Sequence, residues 1–299
     1  MSAPRVPACA NPYIIMPVPA VPDILKLRLT DPRMQYHAGS GHNGKPFAYQ
    51  KSKFFCDLEA LVQFVKDFKT TDFDVLIAGG CSKHHKTLIP LFPNTVRWTM
   101  YETKQNQDEE FMHWQNEKEN VKVISEYLTE EEAKNYASRD SNRPLLFLIR
   151  LDTMQGHHFD TTEDTVKKDL ITREKLTKAV RANETYLRFR LPFCTYGQTN
   201  KVNYLKPDLI LKNVYSRPNS TEITIMVKRP ETGDYQACEW DEKTIEEIMS
   251  YHNNVQRPLE NFDLEASVKI VEEYFDVERQ FFGSHGITPT MLQSMLNAI

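Results

Sequence analysis

The chain has 299 residues, a formal net charge of −4 and 26% charged residues. This length suffices for one large domain or two small ones with a sizeable core, and we favour one. The acidic total excludes a wholly basic nucleic-acid-binding protein, so any contact with RNA must come from local patches. Five cysteines lie far apart without a Cys-x-x-Cys pair, which indicates free thiols in a reducing compartment. No apolar run approaches the roughly 18 residues of a membrane span, and the N-terminus lacks a signal-peptide pattern, so a cytoplasmic protein is predicted.

The first 48 residues have a composition that discourages regular structure. Prolines recur among small and apolar residues, and the stretch GSGHNGKP follows them. We predict an extended arm over residues 1–48 that lies over the body of the protein, with a loop at 38–46. An α/β domain is expected over 49–257, and helices over 258–299 are expected to pack on the same domain.

Beyond the arm, strand and helix patterns alternate. Apolar residues at helical spacing from Phe54 to Phe68 predict a helix that leads to a strand at 74–78. Further strands are predicted at 96–101, 121–125, 145–151, 186–192, 208–212 and 222–228. Further helices are predicted at 107–117, 162–182, 241–253 and 263–275. Two more helices are predicted to begin after the N-cap Thr129 and at Thr288-Pro289. The alternation predicts a doubly wound, mostly parallel α/β sheet with helices on both faces.

A glycine turn follows the first predicted strand. The segment DVLIAGG ends at Gly79 and Gly80, and the start of a helix is predicted just beyond them. A bare backbone at such a turn lets a nucleotide-type cofactor approach, and a helix N-terminus favours anions. However, Lys83, His84 and His85 stand where such a loop normally stays small and open. Two alternatives therefore stay open: a fold that still binds its cofactor, or one that keeps only the scaffold.

Seven segments, in their order and spacing, resemble the poxvirus-type cap-specific mRNA 2′-O-methyltransferases, a family that also serves as the processivity subunit of poly(A) polymerase. They lie between about residue 49 and residue 257. In chain order they are AYQKSK, DVLIAGG, VRWTMYE, LLFLIRLD, ETYLRFRLPF, NSTEITIMV and EKTIEEIMSYHNNVQR. The resemblance implies the fold of S-adenosylmethionine-dependent methyltransferases. It also implies a role in viral mRNA-end processing.

In that family a Lys-Asp-Lys-Glu tetrad transfers the methyl group, and one lysine, held deprotonated, takes the proton of the ribose 2′-OH. The resemblance places the tetrad on Lys53, Asp152, Arg188 and Glu222. Lys51 is an alternative for the first lysine. Asp152 matches only if the strand slips by one residue, because the unslipped position is Leu151. Arg188 stands where the base is expected, and an arginine effectively cannot be deprotonated.

The resemblance also implies a site for the methyl donor, S-adenosylmethionine. Its contacts would be Gly79, Gly80 and Glu102, with the Glu102 carboxylate on the ribose hydroxyls. Ser82 and Lys83 replace the second glycine and the proline of the family's loop, which puts donor binding in doubt.

A cap site is implied as well, in which a methylated guanine stacks between two aromatic rings and is fixed by carboxylates. N7-methylation makes the base cationic, which strengthens stacking on π faces. The matching residues are Tyr36, Phe193 and Glu246, while Thr195 replaces the second carboxylate. Binding to the cap is therefore expected, at reduced strength.

A basic strip lies between residues 167 and 190, where eight lysines and arginines stand against three acidic residues. A charged helix usually presents a solvated face, but this asymmetry favours a surface for RNA phosphates. The RNA contacts we predict are Lys175, Lys178, Arg181 and Arg190. Arg188 and Arg190 have the alternative of pairing with nearby carboxylates.

Three functions stay open. The first is a subunit of a poly(A) polymerase or capping enzyme that binds capped mRNA or single-stranded RNA and has reduced or lost methyl transfer. The second is an active S-adenosylmethionine-dependent cap 2′-O-methyltransferase, and the third is a scaffold with neither ligand. A zinc site formed by Cys81, His84, His85, His157 and His158 is a minor alternative, since their spacing matches no standard zinc module. We expect no resident metal.

Overall fold

The structure is a computed structural model that describes residues 21–35, 48–80, 83–104, 107–139, 142–151, 163–192, 201–217, 220–283 and 286–297. Its main feature is a seven-stranded sheet with the order β3-β2-β1-β4-β5-β8-β7. The strands of this sheet are β1 (Asp74–Ala78), β2 (Arg97–Tyr101), β3 (Val121–Ile124), β4 (Leu145–Ile149), β5 (Glu184–Phe189), β7 (Leu209–Lys212) and β8 (Ile223–Lys228). Strands β1 to β5 are parallel, and β8 is antiparallel to both β5 and β7.

The helices cover both faces of this sheet. They are α1 (Tyr49–Phe68), α2 (Lys83–Leu88), α3 (Glu109–Gln115), α4 (Glu130–Ala137), α5 (Glu163–Val180), α6 (Glu242–Tyr251), α7 (Arg257–Leu259), α8 (Phe262–Val277) and α9 (Pro289–Asn297). One core unites α1, α2, α8 and α9 with one face of the sheet, and a second core unites α4, α5 and α6 with the other. The predicted doubly wound, mostly parallel α/β fold is therefore confirmed.

Local chemistry explains several boundaries. Thr129 caps α4 through a capping box with Glu132, as expected from a hydroxyl three residues before a glutamate. All five residues of β4 are buried, as its apolar run predicted, and each alternate side chain enters the opposite core. The predicted strands and helices are confirmed with boundaries that differ by up to a few residues.

A second, two-stranded sheet was not predicted. It pairs β6 (Lys201–Leu205) with β9 (Ala237–Asp241) in antiparallel register. Its Tyr204 and Trp240 pack on Phe189 of β5, with ring centroids 5.1 and 4.4 Å apart. The sheet therefore covers the end of β5 next to α6, which starts directly after β9.

The N-terminal segment 21–35 runs along the edge of the main sheet. Backbone bonds join Leu27 to Ile210 and Lys212 to Leu25, at 2.9 and 2.8 Å. Further on, the Met34 amide donates to the carbonyl of Glu247 in α6. This segment therefore covers the edge strand β7, whose backbone would otherwise be open to pairing with another chain. Among the described helices, none has the length and apolar character needed to cross a lipid bilayer.

Candidate functional site

The predicted site residues follow the carboxyl ends of the parallel strands. Gly79 and Gly80 follow β1, Glu102 follows β2, and Arg188 lies in β5. Because β8 is antiparallel to β5, Glu222 just before β8 reaches the same edge of the sheet. Ligands of doubly wound sheets bind at this edge, so its chemistry decides what the protein can do.

The glycine turn has the backbone that only glycine adopts readily. Gly79 and Gly80 have φ values of 84° and 93°. A Cβ atom on Gly79 would lie 2.9 Å from the backbone nitrogen of Leu151, so β1 and the end of β4 approach too closely for any side chain. The fold itself therefore requires glycine at position 79.

Glu102 is almost fully buried, with 1% of its surface exposed. Its carboxylate accepts hydrogen bonds from the backbone amides of Gly80 and Thr103. Each oxygen accepts one amide and keeps a second lone pair. The carboxylate thus braces the glycine turn, and its contact with ribose hydroxyls stays a prediction.

Beneath the turn lies a buried charged network that joins α1, α2 and the end of β4. The Asp57 carboxylate contacts Nε2 of His84 at 2.9 Å, Nε2 of His85 at 3.6 Å, and Nη2 of Arg150 at 2.5 Å. Burial alone would raise the pKa of Asp57, but the Arg150 guanidinium and the two histidine hydrogen bonds hold it well below its usual range. Burial and the neighbouring His85 lower the pKa of His84 to about 3, so its imidazole is neutral.

This network bears on the zinc alternative. Asp57, His84 and His85 offer three ligand atoms within 4.8 Å of one another. One carboxylate oxygen is already held by Arg150, whose Nε also donates to it at 2.8 Å. The observed contacts are those of an ion-pair network that fixes α1 and α2 under the sheet edge. Cys81, His157 and His158 lie outside the described residues.

The position expected for the catalytic base holds an ion pair. Nη2 and Nε of Arg188 lie 2.5 and 2.7 Å from Oε1 of Glu222. The same oxygen accepts from Nδ2 of Asn213 at 3.3 Å. The structure thus brings Arg188 and Glu222 together, as predicted for a tetrad, but the arginine is held as a cation by the carboxylate.

The N-terminal half of α1 borders this pair. Sγ of Cys56 lies 3.6 Å from Oδ1 of Asn213. Burial raises the pKa of this thiol to about 11. Lys53, one turn earlier, is half-buried, and its charge helps to lower the pKa of His84 and His85 beyond the effect of burial. Three of the four predicted tetrad residues therefore lie around the same end of the sheet, and Asp152 lies outside the described residues.

Glu246 lies in a group of carboxylates at the start of α6. Burial, and then the charge of Glu242 and its hydrogen bond, raise the pKa of Glu246 to about 7, while Glu163 of α5 acts in the same direction. Arg190 is the cation of the group and lowers this pKa. The cluster is therefore a strongly negative environment with one guanidinium. Tyr36, Phe193 and Thr195, the other predicted cap-site positions, lie outside the described residues.

The basic strip divides into exposed and inward-facing residues. Lys175 and Lys178 are exposed on α5, where Lys178 pairs with Glu174 at 2.6 Å. Arg181 donates to the carbonyl of Gly233 at 3.2 Å. Arg190 instead lies beside the carboxylate group of α6. RNA binding by these four residues stays a prediction.

Arg173 was counted in the strip but faces inward. Its Nη1 donates to the carbonyl of Arg188 at 2.7 Å, and its Nη2 donates to the carbonyl of Leu151 at 2.6 Å. It therefore ties together the carboxyl ends of β4 and β5. The sequence analysis missed this role of Arg173 and the role of Asp57 in the buried network. The available signal was the same for both: a charged residue at a position where the helical spacing predicts an apolar one.

A comparison with protein families shows which family this chain belongs to. Residues 50–283 match the family model described as Poly A polymerase regulatory subunit. This chain belongs to that family. The predicted resemblance is therefore confirmed, and the family description implies a poly(A) polymerase as partner. A comparison with curated proteins gave no match.

Solved structures show only remote similarity. A nicotianamine synthase, MtNAS, has 11% identity and a TM-score of 0.29, and the match covers 63% of this chain and 66% of the synthase, just under two thirds. An rRNA methylase from Streptococcus thermophilus has 9% identity and a TM-score of 0.24, over 62% of this chain and 98% of that one. These remote similarities carry no functional inference, which comes from the family match and from the site itself.

Proposed function

We propose that this chain is a poly(A) polymerase regulatory subunit that binds capped or single-stranded RNA and has lost methyl transfer. The observation that carries the proposal is the ion pair of Arg188 and Glu222 at the position expected for the base. A guanidinium that stays protonated cannot accept the proton of a ribose hydroxyl. RNA could bind at this edge, but its 2′-OH would not be activated by Arg188.

The environment of Glu102 supports the same proposal from the donor side. Its carboxylate is 1% exposed and accepts two backbone amides, so ribose hydroxyls could reach it only if the residues around the glycine turn moved. S-adenosylmethionine, when bound, would supply the electrophilic methyl group. Glu102, which would hold its ribose, is enclosed beside the glycine turn.

The carboxylates around Glu246 support cap recognition. Three acidic side chains from α5 and α6 lie together, and burial, followed by their mutual repulsion, raises the pKa of Glu246 to about 7. A cationic methylated guanine would relieve that repulsion, whereas a neutral guanine would not. Arg190, the cation of the same group, could meet a phosphate of the cap.

Titration calorimetry with a short RNA tests the binding half. The same oligonucleotide, capped with 7-methylguanosine or uncapped, is titrated into the purified chain. We expect tighter binding of the capped RNA, and a loss of about tenfold, or roughly 1.4 kcal/mol, on Glu246→Gln. Glu247→Gln, the next residue of α6, is the matched control and is expected to leave the affinity within about twofold. Equal, negligible binding of both RNAs would contradict the proposal.

A methyl-transfer assay tests the other half. With labelled S-adenosylmethionine and capped RNA, we expect no transfer by the natural chain. The substitution Arg188→Lys then asks whether the base alone is missing: gained transfer would identify an intact donor site. Transfer by the natural chain would instead favour the alternative, an active cap 2′-O-methyltransferase with an altered tetrad of Lys53, Asp152, Arg188 and Glu222.

A further inference from the structure

The N-terminal segment 21–35, which we call the strap, joins the edge of the main sheet to helix α6. Its backbone pairs with β7, as described above, and its side chains enter both cores. Leu25 is buried in the core that α1 and α8 share, whereas Leu27 is buried in the core of α5 and α6. The strap therefore crosses the edge of the sheet and is held on both of its faces.

An ion pair fixes the turn in the middle of the strap. The Asp31 carboxylate accepts the amide of Arg28 at 3.0 Å and lies 3.6 Å from Nζ of Lys212, at the end of β7. Lys212 is buried, and its Nζ also donates to Oε1 of Gln256 at 3.3 Å. Because a buried ammonium needs an acidic partner, Asp31 anchors the strap to the end of β7.

The last part of the strap runs diagonally across α6. Three hydrogen bonds join consecutive strap residues to positions spaced three apart on the helix: Nη1 of Arg33 to Oγ1 of Thr244 at 3.3 Å, the Met34 amide to the Glu247 carbonyl at 3.0 Å, and Oγ of Ser250 to the Gln35 carbonyl at 3.3 Å. Four residues along a helix turn by about 400°, so Ser250 lies about 40° from Glu246 around the axis. The strap therefore reaches α6 one turn from Glu246, on the same side of the helix.

This contact bears on the carboxylate group around Glu246. Glu246 of α6 and Glu163 of α5 carry like charges, and their repulsion acts to move the two helices apart. The strap ties α6 to the edge strand β7, which does not carry these charges. It therefore opposes a displacement of α6 and of the carboxylates on it.

We propose that the strap is a positioning element of the candidate cap site, which holds α6 so that Glu246 meets the methylated guanine. The link to the cap rests on the proposed function, whereas the hold on α6 is assigned from the contacts themselves. Release of the strap then weakens cap recognition without any change in Glu246. It leaves the binding of uncapped RNA unchanged, because no methylated guanine is read there.

The test combines Asp31→Asn with Ser250→Ala in the full chain, which weakens both anchors of the strap. Hydrogen exchange should become faster at the amides of Leu27 and Met34, which bond to β7 and α6. By titration calorimetry, the affinity for capped RNA should fall about fivefold, within the tenfold loss expected for Glu246→Gln, and that for uncapped RNA should stay within about twofold. In a chain that already carries Glu246→Gln, the strap variant should cause no further loss.

The matched control is Ser267→Ala, which also removes the hydroxyl of a buried serine in a helix, but on α8. It should leave the affinity for both RNAs within about twofold. Circular dichroism melts establish that the variants are folded. If the combined variant does not fold, Ser250→Ala alone takes its place, with an expected loss of about twofold to threefold for capped RNA.

The outcomes separate the two proposals. Unchanged binding of capped RNA, an equal loss for capped and uncapped RNA, or a further loss in the Glu246→Gln chain would overturn the positioning role and leave the proposed function in place. Unchanged exchange at the two amides would overturn it as well, because the two anchors would then not hold the strap. A natural chain with no preference for capped RNA would overturn both proposals.

Discussion

The substitution Glu59→Gln should stabilise the protein in a pH-dependent way. Glu59 lies on α1 with 3% of its surface exposed, and neither carboxylate oxygen has a hydrogen-bond partner among the described residues. It lines a small cavity together with Phe55, Asn213 and Ile270. Burial and the charge of Glu273 raise the pKa of Glu59 from its ordinary 4.5 to about 8. The native state therefore holds this side chain as a neutral acid.

The magnitude follows from the shift of the pKa. In the unfolded chain Glu59 ionises near its ordinary pKa of 4.5, whereas in the folded protein it keeps its proton up to about pH 8. The native state thus binds the extra proton, and stability falls as the pH rises through this window. Moving the pKa from 4.5 to about 8, at about 1.4 kcal/mol per pH unit, sets an upper limit of about 5 kcal/mol. Water entering the adjoining cavity lowers this limit, and we expect about 2 to 4 kcal/mol.

Urea unfolding, followed by circular dichroism at pH 4.5, 7 and 9, measures this effect. Glutamine is neutral throughout, so the variant should match the natural chain near pH 4.5 and exceed its free energy of unfolding above pH 8. Glu131→Gln, an exposed side chain on α4, is the control and should show no comparable trend. If Glu59→Gln changed the free energy of unfolding equally at pH 4.5 and pH 9, the reasoning would be refuted. The neutral isostere would then be acting through packing alone.

Three further predictions concern the site. Gly79→Ala should destabilise the protein by about 2 to 4 kcal/mol, because its Cβ would meet the backbone of Leu151. The control Gly233→Ala should cost about 1 kcal/mol, since Gly233 has a similar positive φ but open space around it. Thermal melts of the two variants compare these losses of stability. Asp57→Ala should cost about 3 to 5 kcal/mol in urea unfolding, because it strands the buried Arg150 guanidinium, and a loss below about 1 kcal/mol would contradict the network. Affinity for capped RNA should rise from pH 6 to 8 as Glu246, with its pKa of about 7, ionises, and Glu246→Gln should remove that rise in calorimetric titrations.

Local patterns in the sequence determined most of the secondary structure and the family. The apolar run of β4, the helical spacing of α1 and the N-cap of α4 are properties of neighbouring residues, so they are visible in the chain itself. The glycines after β1 and the order of the motifs also predicted the doubly wound sheet. The resemblance also predicted that Arg188 and Glu222 belong to one site, and the two side chains form an ion pair.

Only the tertiary structure decided what the charged residues do. Arg150 pairs with Asp57, 93 residues away, and Arg173 turns inward to join β4 and β5. Glu102 faces the glycine turn, and the sheet of β6 and β9 forms between segments that have no distinctive pattern. The physical reason is that periodicity records whether a side chain is buried, while the partner of a buried charge depends on which distant segments the fold brings together.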